Sequence, residues 1–265
     1  MRLGFIGAGN MAQAMIGGIL AKEIVKKEDI IASAATQNTI DKVAKEFGIN
    51  VTLDNREVAK ADIVFLAVKP FYYEEVIDGI KDVVDEKQLI ISVAAGKSVE
   101  WVENAFGGKK KIVRIMPNTP ALVGEAVTAI CPNTNITDGE KQEIVELIAS
   151  FGLAQIVSEK IMDAVIAVSG SSPAYVFMFI EAMADEAVAA GMPRKQAYEF
   201  AAQSVLGSAK MVLETGKHPG QLKDEVCSPA GTTIEAVAML EKRGFRAAVQ
   251  DAMAVCAEKS RQMSK

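Results

Sequence analysis

Three stretches of the chain carry residue types whose spacing could do chemistry. The first, Gly7-Ala8-Gly9-Asn10-Met11-Ala12, follows directly on the apolar run of residues 2–6. It matches G-x-G-x-x-G/A: the first glycine permits a tight turn, the second lets backbone approach a pyrophosphate, and a small third residue lets a helix pack closely on a strand. A helix opening there would offer free N–H groups and a partial positive charge to phosphates, so the implied chemistry is dinucleotide binding. The second stretch is Ser228-Pro229-Ala230-Gly231-Thr232-Thr233-Ile234. A Gly-Thr-Thr turn at a helix start presents N–H donors and two hydroxyls, a seat for a small carboxylate, although spacing alone favours the plainer reading of Thr232 as an N-cap. The third is His218, the single histidine of the chain. It invites a general-acid role, but Pro219 and Gly220 beside it make a loop or helix entry, and a structural role is favoured.

The second strand of a dinucleotide fold decides between the two nicotinamide cofactors. NAD sites carry an acidic residue about twenty positions beyond the glycines to hold the ribose 2′-hydroxyl. Here the strand ends Ala32-Ser33-Ala34-Ala35-Thr36-Gln37-Asn38, without a carboxylate. Nothing repels a 2′-phosphate, and the hydroxyls and amides, Ser33 among them, could accept one. NADP(H) is therefore preferred, with NAD(H) as the alternative, since no arginine stands there.

These residues must be positioned by an ordered framework. Apolar, β-branched runs at residues 2–6, 29–34, 49–52, 62–68, 88–94, 111–116, 126–131 and 153–157 predict strands, and helical periodicity covers residues 11–22, 39–47 and 138–151. Strands alternating with helices predict βαβ units and a mainly parallel sheet. Beyond residue 158 strands vanish, and helices are predicted at 174–190, 195–214, 233–242 and 245–263. The expected fold is thus α/β, with a Rossmann-type dinucleotide-binding domain over 1–158 and an all-helical domain over 159–265. Val176-Phe177-Met178-Phe179-Ile180 is apolar around a whole helical turn, which points to burial against a second subunit, a homodimer through the C-terminal helices or a higher oligomer built on it.

Bulk properties exclude other classes. Of 265 residues, half are hydrophobic, and the net charge is −5, an acidic balance that argues against nucleic acid or an anionic membrane as partner. Cys131, Cys227 and Cys256 form no CxxC pair and no ligand cluster, so neither a redox dithiol nor a metal site is expected. The apolar stretches are broken by charge or glycine short of a bilayer span, and a cytoplasmic location is expected.

Several motifs together resemble the pyrroline-5-carboxylate reductases. These are Phe5-Ile6-Gly7-Ala8-Gly9-Asn10-Met11, Phe65-Leu66-Ala67-Val68-Lys69-Pro70, Met116-Pro117-Asn118-Thr119-Pro120, Ser169-Gly170-Ser171-Ser172-Pro173-Ala174-Tyr175 and the stretch from His218 to Thr233. The resemblance implies reduction of the cyclic imine L-1-pyrroline-5-carboxylate to L-proline, the last step of proline biosynthesis. It implies further that Gly231, Thr232 and Thr233 hold the substrate carboxylate, with Thr233 as the candidate proton donor. Asn55, Ala67, Val68, Lys69, Pro70, Ala95 and Gly96 would line the cofactor beside Gly7, Ala8, Gly9, Asn10 and Met11. One departure is that Ala230 stands where the family usually has glycine, which would strain the loop if that position needs a positive φ. The competing readings are a β-hydroxyacid dehydrogenase or related imine reductase, and a non-catalytic NADP(H)-sensing dimer. The former would show a catalytic lysine after the Ser169-Gly170 turn, where none stands.

Overall fold

The computed structural model describes residues 1–263. Its apolar runs form strands β1 Leu3–Ile6, β2 Ile30–Ser33, β3 Asn50–Thr52, β4 Ile63–Leu66, β5 Leu89–Ser92, β6 Lys111–Met116, β7 Ala126–Pro132 and β8 Gly152–Ile156. Between them lie helices α1 Asn10–Ala21, α2 Gln37–Phe47, α3 Asn55–Val58, α4 Tyr73–Ile80, α5 Val99–Ala105 and α6 Asp138–Ala149. The strands make one sheet in the order β3-β2-β1-β4-β5-β6-β7-β8. The first six are parallel, β7 runs antiparallel to β6, and β8 is parallel to β7. The reversal has a chain-length cause. The short connection between β6 and β7 holds only the turn Thr119–Val123, less chain than a parallel crossover needs. Between β7 and β8, α6 provides that crossover.

Every residue of β1, β4 and β5 is buried, as near-continuous apolar strands covered on both faces should be. Phe5, Met15, Ile16, Phe65 and Ile148 pack on one face, and Ile6, Val64, Leu66, Tyr73 and Ile77 on the other. The Phe5 and Phe65 rings stack across β1 and β4 with centroids 4.4 Å apart. The register pairs Ile6 with Ser33 and with Leu66, and Leu66 with Ser92, so four strands finish level at one rim of the sheet. The strand order also turns back at β1, which has β2 and β3 on one side and β4 to β6 on the other. Open α/β sheets bind ligands at the carboxyl ends beside such a reversal.

After β8 comes α7 Met162–Val165, which runs into a π-helical turn over Ile166–Gly170, and then α8 Ser172–Ala189. Then come α9 Arg194–Thr215, α10 Pro219–Val226, α11 Thr232–Lys242 and α12 Phe245–Met263. The chain forms two compact units, one of Met1–Ser171 with Cys256–Lys265 and one of Ser172–Val255. The change of composition near residue 158 thus precedes the division between units. Met162 joins Met116, Ala129 and Cys131 in a buried cluster, and the Asn118 amide donates to the Ser169 carbonyl at 3.0 Å, which ties the π-helical turn to the sheet. Within the same unit, the Ser260 hydroxyl donates to Asp163 at 2.6 Å and the Cys256 thiol to the Ser171 hydroxyl at 3.1 Å.

The second unit buries little of itself. Its core is Ala184, Ala197 and Ala201, with Ile180, Met183, Val188 and Met192 partly covered. Phe177 is 62% exposed, Met178 69%, Phe200 64% and Leu213 78%. The continuous helical run Glu159–Ala189 has a mean hydropathy of 1.4 over its most apolar stretch, long and apolar enough to cross a membrane by length and composition. This corrects the expectation that apolar stretches stop short. Gly170 is absorbed into the π-helical turn and does not end the helix.

Candidate active site

Gly7 leaves β1 with φ +97, and a Cβ there would come within 2.8 Å of the Ala67 carbonyl group. Its N–H donates to Ser33 O at 3.1 Å. The first glycine therefore turns the chain tightly between the ends of β2 and β4. Gly9 has an ordinary extended backbone and is the N-cap of α1, without a side chain to cover the first N–H groups. Among the described residues, a Cβ on Gly9 would meet nothing within 4 Å beyond its own chain neighbours. Ala8 and Ala12 are buried against the sheet, Gly9 and Asn10 are exposed, and Met11 is half-buried. The Gln13 side chain braces the loop by donating to Ala8 O at 2.7 Å.

The other expected cofactor residues lie on the same rim. Ala67 and Val68 are half-buried just after β4, Lys69 is exposed at the start of the turn Pro70–Tyr72, and Ala95 and Gly96 follow β5. Gly96 has φ +75 and faces the Met263 main chain, which a Cβ would approach to 2.8 Å. Ser33 is fully buried, and its hydroxyl donates to Asn55 Oδ1 at 2.7 Å. It orients Asn55, the first residue of α3, so that the amide N–H groups are what Asn55 offers a ligand. Ala35, Thr36, Gln37 and Asn38 are exposed beyond β2, and Thr36 caps α2 by accepting from Thr39 N.

The Gly-Thr-Thr stretch lies in the second unit. Gly231 N–H donates to Ser228 O at 3.0 Å, and Ala230 has φ +58. Pro229 in the second place and a positive φ in the third make this a type II turn, whose third place favours glycine. Gly231 is the N-cap of α11 and Thr232 its first residue, so Thr232 is not the cap that spacing alone favoured. The first N–H groups of α11 are left without a side-chain cap, as they are at α1. A Cβ on Gly231 would overlap the Ser228 hydroxyl and come within 3.1 Å of Ser228 O, so a larger residue there would have to displace Ser228. Thr232 is exposed and Thr233 half-buried.

The strain anticipated at Ala230 is therefore present, and its side chain is exposed, with no packing to offset it. An L-residue in this conformation costs about 1–2 kcal/mol, and glycine gives back part of that through unfolded-state entropy. Ala230→Gly is expected to stabilise by about 1 kcal/mol net, which raises the thermal midpoint by about 2–4 °C at fixed protein concentration. A lower midpoint would show that the methyl group makes a contact the turn needs.

His218 is the N-cap of α10, with Nδ1 accepting from Gly220 N–H at 3.0 Å and Pro219 in the first helical position. The structural role expected of it holds. Burial pushes the Cys131 thiol up to about 11, which keeps it protonated and inert. Three buried polar groups near the rim had no role assigned from the sequence, Asn118 among them although its motif stood out. Asn118 accepts from Val127 N at 2.9 Å while donating to Ser169 O, Arg114 pairs with Glu159 at 2.8 Å, and Tyr73 bonds between β4 and β5. A polar residue inside an apolar strand pattern was the available signal for Arg114.

Comparison with known proteins places this geometry. Residues 159–263 match the family model described as pyrroline-5-carboxylate reductase dimerisation, and residues 2–96 match NADP oxidoreductase, coenzyme F420-dependent. A pyrroline-5-carboxylate reductase from Escherichia coli is 50% identical over 265 residues, covering 100% of this chain and 98% of its own. The solved pyrroline carboxylate reductase of Plasmodium falciparum with NADP bound aligns at 34% identity and a TM-score of 0.91, over 100% of this chain and 98% of that one. The enzyme from Coxiella burnetii aligns at 34% identity with a TM-score of 0.92 over the same shares.

Proposed function

The chain belongs to the pyrroline-5-carboxylate reductase family, and from that membership we propose that it reduces L-1-pyrroline-5-carboxylate to L-proline with NADPH. The observation that carries the proposal is that α1 and α11 both begin at glycine N-caps with no side chain over their first N–H groups, one fitted to a pyrophosphate and the other to a carboxylate.

Residues 1–158 serve as the Rossmann domain for the cofactor. Gly7, Ala8, Gly9, Asn10 and Met11 hold the pyrophosphate, and the room around Gly9 supports that fit. Asn55, oriented by Ser33, donates to the ribose. The segment beyond Ser33, free of carboxylates, receives the 2′-phosphate, which supports NADP(H) over NAD(H). Ala67, Val68, Lys69, Pro70, Ala95 and Gly96 line the nicotinamide end. Residues 159–265 bind the substrate and dimerise. The family model and the exposed Phe177, Met178 and Phe200 support a homodimer through the C-terminal helices, and the apolar face of Glu159–Ala189 is read as part of that contact. We place the enzyme in the cytoplasm.

When bound, NADPH supplies a hydride for the imine carbon of the substrate. Gly231, whose own N–H is taken by Ser228 O, leaves the N–H groups of Thr232 and Thr233 open to hold the substrate carboxylate, which fixes the ring in orientation. The imine nitrogen must gain a proton for the product to be an amine, and the Thr233 hydroxyl hydrogen-bonds there and relays it from water. The test is NADPH absorbance with racemic pyrroline-5-carboxylate. Consumption with formation of proline is expected, while an unchanged absorbance, or equal consumption with the oxo-acid precursors of hydroxyacids, overturns the assignment.

A further inference from the structure

The hydroxyl of Tyr73 lies between the carboxyl ends of two neighbouring parallel strands. Tyr73 is fully buried at the start of α4. It donates to Leu66 O, the last residue of β4, at 2.5 Å. It accepts from Val93 N–H, just past β5, at 3.0 Å and from the Ser92 hydroxyl at 3.3 Å. A phenol has one proton to give and two lone pairs to offer, so all three are used. Val93 N–H also reaches Leu66 O directly at 3.3 Å, which makes the hydroxyl a shim in the last rung of the β4–β5 ladder. Burial raises the phenol to about 12, so it stays a donor at any working pH.

Beyond that rung the two strands become residues 67–70 and 94–96, which on the functional reading flank the nicotinamide. We propose that Tyr73 is a positioning residue whose hydroxyl, wedged between Leu66 and Val93, sets the gap between these two loops and so the affinity for the nicotinamide cofactor. Without the hydroxyl, Leu66 O and Val93 N–H are left to each other, since buried main-chain groups must find partners, and the loops close by the width of the missing oxygen. This inference rests on the proposed cofactor site, not on the identity of the imine substrate.

The experiment compares Tyr73→Phe with Ile90→Val, a conservative change in the same buried cluster. NADPH affinity is measured by direct titration, together with KM, kcat and the thermal midpoint. Tyr73→Phe is expected to raise the Kd and KM for NADPH at least about fivefold with kcat within twofold of the parent. Ile90→Val is expected to lower the midpoint and leave both constants unchanged. An unchanged Kd in Tyr73→Phe, or an equal rise in Ile90→Val, overturns the inference. If Tyr73→Phe does not fold, Ser92→Ala takes its place: a Kd raised twofold or more supports the shim, and an unchanged one overturns it. A parent protein that binds NADPH but leaves the imine untouched contradicts the functional assignment alone, because the titration is independent of turnover.

Discussion

Replacing Gly9 with alanine is expected to leave the fold intact and weaken NADPH binding at least about a hundredfold. The two effects separate because of where the Cβ would go. Among the described residues nothing beyond its own chain neighbours lies within 4 Å of it, and the backbone there has no positive φ. Alanine is a poorer N-cap than glycine, but it also loses less entropy on folding, and these two small terms oppose each other. The cofactor has no such latitude. Pyrophosphate oxygens reach the first N–H groups of α1 only if nothing stands on Gly9, and a hundredfold loss corresponds to about 2.7 kcal/mol. Thermal unfolding and NADPH titration of Gly9→Ala measure both. Unimpaired binding would place the pyrophosphate elsewhere.

Thr233→Val is expected to reduce kcat about a hundredfold, within the range that positioned proton donors contribute, with the KM for pyrroline-5-carboxylate changed no more than about threefold. Valine keeps the β-branched shape that begins α11 and all the main-chain N–H groups proposed to hold the carboxylate. Only the hydroxyl is lost. A variant that binds substrate and turns over normally would show that the imine arrives already protonated, and would remove Thr233 from the proton transfer while leaving the carboxylate seat untouched.

The sequence was most informative where a local pattern has a local cause. Residues 111–116 and 245–263 match β6 and α12 end for end, because a short strand run bounded by Gly108 and Pro117, and a helical period sustained over several turns, need little tertiary help. Strands expected at 62–68 and 88–94 end at Leu66 and Ser92, since the chain past those residues bends away to form the rim, and an apolar run does not record that bend. Helices α3 and α5 span about one or two turns, too short to establish a period. The direction of β7 was legible in principle from its short connection, but the expectation of a mainly parallel sheet did not include it. Ala230 was recognised as a departure from the glycine usual in the family it resembles, and the positive φ there bears out the concern. Tyr73 could not be recognised, because its three partners meet only after β4 and β5 pair.

The last helix starts in one compact unit, and from Cys256 onward belongs to the other. The helical unit is therefore an insertion within the first one rather than an appendage after it. On the ribosome, the dinucleotide-binding half emerges first yet stays unfinished until the stretch from Cys256 to Ser260 has emerged, because Ser260 and Cys256 supply partners for Asp163 and Ser171. A protease cut inside Ser172–Val255 would leave both fragments anchored in the same unit, and a stop codon after residue 171 would leave Asp163 and Ser171 without these two partners.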